Sequence, residues 1–210
     1  MIYSASPQGY ELVIIGWIAI VSTFFGSLPL GAFVRKFYSL SPAKTSQFKP
    51  QLKYVLSQGL DVLKGVLIIA LVQGEGINLI HTFVYPGVEF SASLHFISAW
   101  VAGLFALIGH CYTPWKALRE GKGVSLLLGI GFMLSPAAAL LGISGAILAW
   151  MDERDSAVIS ITGIVLATVS HLILYPLQSC TWVGVFYLYV IFGQFESYIQ
   201  FDLQSKSLKN

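Results

Sequence analysis

The sequence is built from apolar runs about as long as a membrane is thick. Leu12 to Val34 gives 23 residues without a charge, and about 20 apolar residues in a helix cross the ~30 Å hydrocarbon core. Further apolar runs cover residues 56–72, 91–109, 124–150, 156–175 and 180–195. A backbone in lipid must satisfy its own hydrogen bonds, so runs of this kind fold as helices. The predicted class is therefore all-α, a polytopic membrane helical bundle. With 56% hydrophobic and only 10% charged residues, and a mean hydropathy of +0.75, a soluble globular domain is excluded. The runs fill the chain, so residues 1–210 are read as a single integral membrane domain. Residues 1–11 are too short and polar for a signal peptide, and the first run is expected to stay as a span.

Charge sets the expected orientation. Arg35, Lys36, Lys44, Lys49 and Lys53 follow the first run with no acid before Asp61, an excess that marks a cytoplasmic loop and puts the N-terminus outside. Glu75 and Glu89 mark the next loop as external, and Lys116, Arg119 and Lys122 mark a second cytoplasmic one. The 27 uncharged residues from Val124 to Trp150 exceed one span, and Ser135-Pro136 lies near their middle, where proline removes a helical hydrogen bond. Two short helices meeting there give about seven spans and a cytoplasmic C-terminus bearing Lys206 and Lys209. A kinked single helix gives six, and would place the acidic stretch 152–155 outside instead of inside.

Few residues are equipped for chemistry. "EGKG" at 120–123 precedes a helical run. Glycines let backbone amides approach an anion, the helix N-terminus adds a positive dipole, and Lys122 adds a full charge. This is a phosphate cradle or, on the plainer reading, a cytoplasmic turn whose cations obey topology; Lys116 stands where a Walker A loop needs its first glycine. Asp61 and Lys64 are three apart on one helix face. At membrane depth their charges must meet each other, water or an anionic ligand, so a structural pair and a site role both stand. His110 lies at the membrane edge near the basic turn, as a hydrogen-bonded structural residue or a base. His95 and His171 lack partners at metal spacing and are expected in the core. Cys111 and Cys180 are expected as thiols, and the aromatic stripe at 187–201 as an interfacial belt. No metal, no cofactor and no nucleic-acid partner is expected.

Taken together, "GSLPLGAFVRKF" at 26–37, "LDVLKG" at 60–65 and "ALIGHCYTPWKALREGKGVSLLLG" at 106–129 resemble the bacterial membrane-integral acyl-phosphate:glycerol-3-phosphate acyltransferases, the PlsY type. Order and spacing agree from about residue 12 to 150. The resemblance implies seven helices in the bacterial inner (cytoplasmic) membrane, with the active site on the cytoplasmic face. It implies attack of the glycerol-3-phosphate hydroxyl on an acyl phosphate, giving lysophosphatidic acid without metal or cofactor. Lys122, Gly121 and Gly123 would hold phosphate, with His110, Asp61 and Lys64 as framework residues beside them.

The chain also departs from the family pattern. Its first cytoplasmic loop, "YSLSPAKTSQFKPQLK", has neither the glycines nor the asparagine of the family's segment. The family's C-terminal His-Arg-x-Asn-Ile motif has no counterpart after His171. Glu120 replaces the first glycine of Gly-Gly-Lys-Gly and would repel a phosphate. Losing a single donor to transition-state charge typically costs about a hundredfold in rate. The expected function is thus a divergent glycerol-3-phosphate acyltransferase-like protein in which turnover at a normal rate is not expected, with membrane lipids, glycerol-3-phosphate and acyl phosphate as its partners. The alternative is a non-catalytic, lipid-binding or structural subunit joined to other membrane protein subunits.

Overall fold

The computed structural model describes residues 7–39, 48–74, 92–112, 123–152 and 156–174. All secondary structure among the described residues is helical: α1 Pro7–Ser27, α2 Leu30–Ser39, α3 Phe48–Gln73, α4 Ala92–Cys111, α5 Val124–Leu134, α6 Pro136–Asp152 and α7 Ser156–Leu174. The apolar run 180–195, the loop carrying Glu75 and Glu89 and the aromatic stripe lie outside the described residues. Val55–Gln73 and Leu94–Cys111 are long and apolar enough to cross a membrane; Glu11–Ser27, Val124–Leu134, Pro136–Met151 and Val158–Leu174 are apolar but shorter.

The first run differs from its expected form as one helix over residues 12–34. Helix α1 stops at Ser27 and α2 starts at Leu30. Pro29 is the cause, because it has no N–H to continue the ladder. Leu30 N–H turns back to the Leu28 carbonyl at 3.0 Å, and Phe33 N–H bonds to the Pro29 carbonyl at 3.1 Å, which begins α2. Counting uncharged residues cannot register such a break. The long run 124–150 does divide at its Ser-Pro. Ala139 N–H accepts its place in α6 by donating to the Ser135 carbonyl at 3.0 Å, so Ser135 is the N-cap and Pro136 the first helical residue.

The chain forms two compact units that meet in sequence between Leu134 and Ser135. In the first, α1 packs chiefly on α4, and α3 on α5, with further contacts of α3 to α2 and α4. Glycines let the backbones touch. A Cβ on Gly26 would strike the Ala106 carbonyl and one on Gly109 the Thr23 carbonyl; Gly65 and Gly129 are related in the same way to Leu126 and Val62. Dispersion across such close contacts, rather than a hydrophobic force that lipid would cancel, holds helices together in a membrane. The second unit pairs α6 with α7, and there Gly142 faces Gly163 and Ala167.

The distribution of side chains is inverted relative to a water-soluble protein. Leu12, Trp17, Phe24, Met151 and Ile173 are exposed, Ile173 by 77%, while Ser22, Ser57, Asp61, Lys64, Ser98 and His110 are buried. Large apolar groups turned outward and charges turned inward are what lipid solvent selects.

The glycine contacts are directly testable. Gly129→Ala must push α3 and α5 apart, at a cost of about 1–3 kcal/mol, whereas Gly59→Ala, with open space around its Cβ, should stabilise α3 by about 0.5–1 kcal/mol. Thermal unfolding in detergent reads both, and equal effects would contradict the close approach.

Candidate functional site

The break at Pro29 leaves backbone carbonyls at the end of α1 without helical partners. Lys64, from the middle of α3, supplies the missing donors. Its Nζ donates to the Gly26 carbonyl at 3.1 Å and the Leu28 carbonyl at 3.0 Å. A third contact, 3.2 Å, reaches Nδ1 of His110 at the end of α4. An ammonium carries three N–H groups and no lone pair, so Lys64 is the donor in each of these three contacts. Asp61, one turn earlier on α3, sets its Oδ1 3.6 Å from Nζ and supplies the counter-charge. Lys64 and Asp61 are 5% and 3% exposed, which makes the pair a buried tie among α1, α3 and α4. A cation at a helix C-terminus is also favoured by the helix dipole.

Beside this tie the chain enters α5. Gly123 has φ +72°, left-handed backbone that glycine adopts without strain. Its carbonyl accepts from Leu127 N–H at 2.9 Å, which makes it the N-cap and leaves the first amides of α5 without helical acceptors. A Cβ here would lie 2.8 Å from Leu107 Cδ1, 3.1 Å from Cys111 Sγ and 3.6 Å from His110 Cδ2. The turn is therefore pressed against the last turn of α4. One residue into α5's first turn, the Ser125 hydroxyl donates to Oε1 of Gln58 on α3.

Of the residues singled out from sequence, Asp61, Lys64, His110 and Gly123 come together at one end of the first unit. Gly121 and Lys122, together with Glu120, lie outside the described residues. The Gln58–Ser125 pair had no sequence signal, because the partners are 67 positions apart. His171 is buried, as expected of a core histidine, and its Nδ1 lies 2.9 Å from Ser135 Oγ, inside the second unit. His95 is half-buried. No group of three or more metal-ligating side chains occurs among the described residues.

If Lys64 is a tie, its removal should be felt as lost stability. Lys64→Met leaves the Asp61 carboxylate and two carbonyls uncompensated, a loss of about 3–5 kcal/mol. The double variant Asp61→Asn with Lys64→Met should be less destabilised than Lys64→Met alone, since the stranded charge is gone. Unfolding midpoints in detergent decide, and additive losses would contradict the tie.

Residues 52–201 match the family model described as glycerol-3-phosphate acyltransferase. The glycerol-3-phosphate acyltransferase of Wolinella succinogenes is 23% identical over 175 residues, 75% of this chain and 76% of the relative. That of Zymomonas mobilis is 28% identical over 165 residues, 78% and 72% of the two chains. Over a shorter stretch of 88 residues, 41% of this chain and 44% of the relative, that of Anaeromyxobacter sp. (strain K) is 36% identical. In fold, the chain is similar to the crystal structures of PlsY, an integral membrane glycerol 3-phosphate acyltransferase. Its glycerol 3-phosphate form gives a TM-score of 0.62 at 21% identity, covering 91% of this chain and 92% of that one, and its lysophosphatidic acid form gives 0.63. With a family match spanning most of its length, the chain belongs to the glycerol-3-phosphate acyltransferase family.

Proposed function

We propose that this protein is a divergent acyl-phosphate:glycerol-3-phosphate acyltransferase that keeps the family's phosphate-binding turn and has lost rapid turnover. The observation that carries the reading is the Gly123 turn, a left-handed N-cap pressed on His110 at the start of α5. Such a turn directs unbonded amides and a positive dipole toward one point. Lys122, adjacent in sequence, would bring the charge, and Gly121 a further amide. Asp61 and Lys64 serve this site from behind: through the contacts of the ammonium with Gly26, Leu28 and His110 they hold the helices that frame it.

The reaction proposed is the family's. The hydroxyl of glycerol-3-phosphate attacks the carbonyl of an acyl phosphate, the C–O bond to phosphate breaks, and lysophosphatidic acid and phosphate leave. It needs no redox step and no metal. What this chain lacks are the asparagine and glycines of the first loop and the histidine-bearing motif near the C-terminus, groups of the kind that orient substrate and stabilise developing charge. Glu120 adds like-charge repulsion. The chain is further proposed to be one integral domain of seven spans in a bacterial inner membrane, with the N-terminus outside and the site facing the cytoplasm. The ends of α1 and α4 gathered with the start of α5 support that alternation.

Purified protein given acyl phosphate and labelled glycerol-3-phosphate should form lysophosphatidic acid at least about a hundredfold more slowly than the Wolinella succinogenes relative under the same conditions. It should nevertheless bind glycerol-3-phosphate, and Lys122→Ala should abolish that binding. Turnover at the relative's rate would overturn the proposed loss of function.

A further inference from the structure

His110 is 6% exposed, with Lys64 on one side of its ring and the Gly123 turn on the other. On one side Lys64 Nζ lies 3.2 Å from Nδ1. An ammonium can only donate, so Nδ1 is the acceptor, and a neutral ring whose Nδ1 accepts carries its proton on Nε2. On the other side the ring's Cδ2 lies 3.6 Å from where a Cβ on Gly123 would stand. Nε2 is bonded to Cδ2, so the edge turned to the α5 N-cap is the one that ends in Nε2–H. Nε2 has no hydrogen-bond partner among the described residues. The side of the buried imidazole that carries Nε2 is thus the side next to a turn that already offers backbone amides.

We infer that His110 is a neutral hydrogen-bond donor to the anion at the Gly123 turn, presenting Nε2–H, and that Lys64 is the positioning residue that fixes this tautomer. The inference rests on the anion-site reading given above and assigns it an atom. It also excludes a role. With Nδ1 occupied by an ammonium and Nε2 already protonated, His110 has no lone pair with which to take the proton of a substrate hydroxyl, so it is not the general base.

Two measurements on the full-length protein in detergent test this. Inorganic phosphate and glycerol-3-phosphate are titrated against the wild type, His110→Gln, which keeps a side-chain N–H donor, and His110→Phe, which keeps a ring without one. His110→Gln should bind within about threefold of the wild type, and His110→Phe about tenfold or more weakly, the size of one charge-assisted hydrogen bond. Nitrogen-15 NMR of histidine-labelled wild type should show His110 with a bare Nδ1 and a protonated Nε2, a signature that a merely space-filling histidine would not require. Phosphate binding unchanged in His110→Phe, or a ring protonated at Nδ1, overturns the inference while leaving the anion site standing. Failure of the wild type to bind either anion removes the anion site and the donor role together, whichever tautomer the spectrum reports.

Discussion

An ammonium group inside a helical bundle is held only if every N–H finds an acceptor and an opposite charge stands close by. Lys64 meets both conditions by gathering three chain segments: two carbonyls from the end of α1, an imidazole from the end of α4, and a carboxylate from its own helix α3. The break at Pro29 creates the carbonyl acceptors, and the lysine satisfies them. Without that break the Gly26 carbonyl would be occupied within its helix and the cation would lack its seat. The tie therefore joins the end of α1 and the end of α4 to the middle of α3.

From this fixed point the rest of the first unit follows by close packing. Gly26 and Gly109 bring α1 and α4 together next to the tie, and Gly65, one residue after Lys64, lets α5 lie against α3. With α5 so placed, its N-cap Gly123 falls beside His110 rather than elsewhere along α4. The same residues that remove side-chain bulk from the interfaces thus aim the start of a helix at a polar corner. The second unit repeats the packing device through Gly142 and Gly163, and its buried polar contact, Ser135 with His171, joins the N-cap of α6 to α7. In both units a polar group sits at a helix end, where lipid offers no alternative partner for an unbonded amide or carbonyl.

Much of this was legible in the sequence, and the limits have physical reasons. Helices over 92–111 and 156–174 follow from apolar runs alone, and the division of 124–150 follows from Ser135-Pro136. Asp61 and Lys64 announce themselves as a pair because three residues is a helical neighbour distance. Pro29 was hidden inside a run judged by its lack of charge, although proline is as strong a stop there as at position 136. What Lys64 binds was not legible at all: its partners are main-chain carbonyls 38 and 36 positions away, and a carbonyl has no letter in the sequence. His110 and Gly123 stood out by resemblance, yet the direction of the imidazole depends on a contact 46 positions distant. The motifs that carry the resemblance lie within residues 12 to 150, whereas the family match covers residues 52 to 201.

The central claim is that an anion still binds at the N-cap of α5. Hydrogen–deuterium exchange of the detergent-solubilised protein, with and without glycerol-3-phosphate, tests it at the backbone amides concerned. The account predicts slowed exchange confined to the segment from Gly121 to Leu126, with α6 and α7 unchanged. Exchange in that segment indifferent to the ligand, at concentrations that saturate a catalytically competent relative, would contradict it.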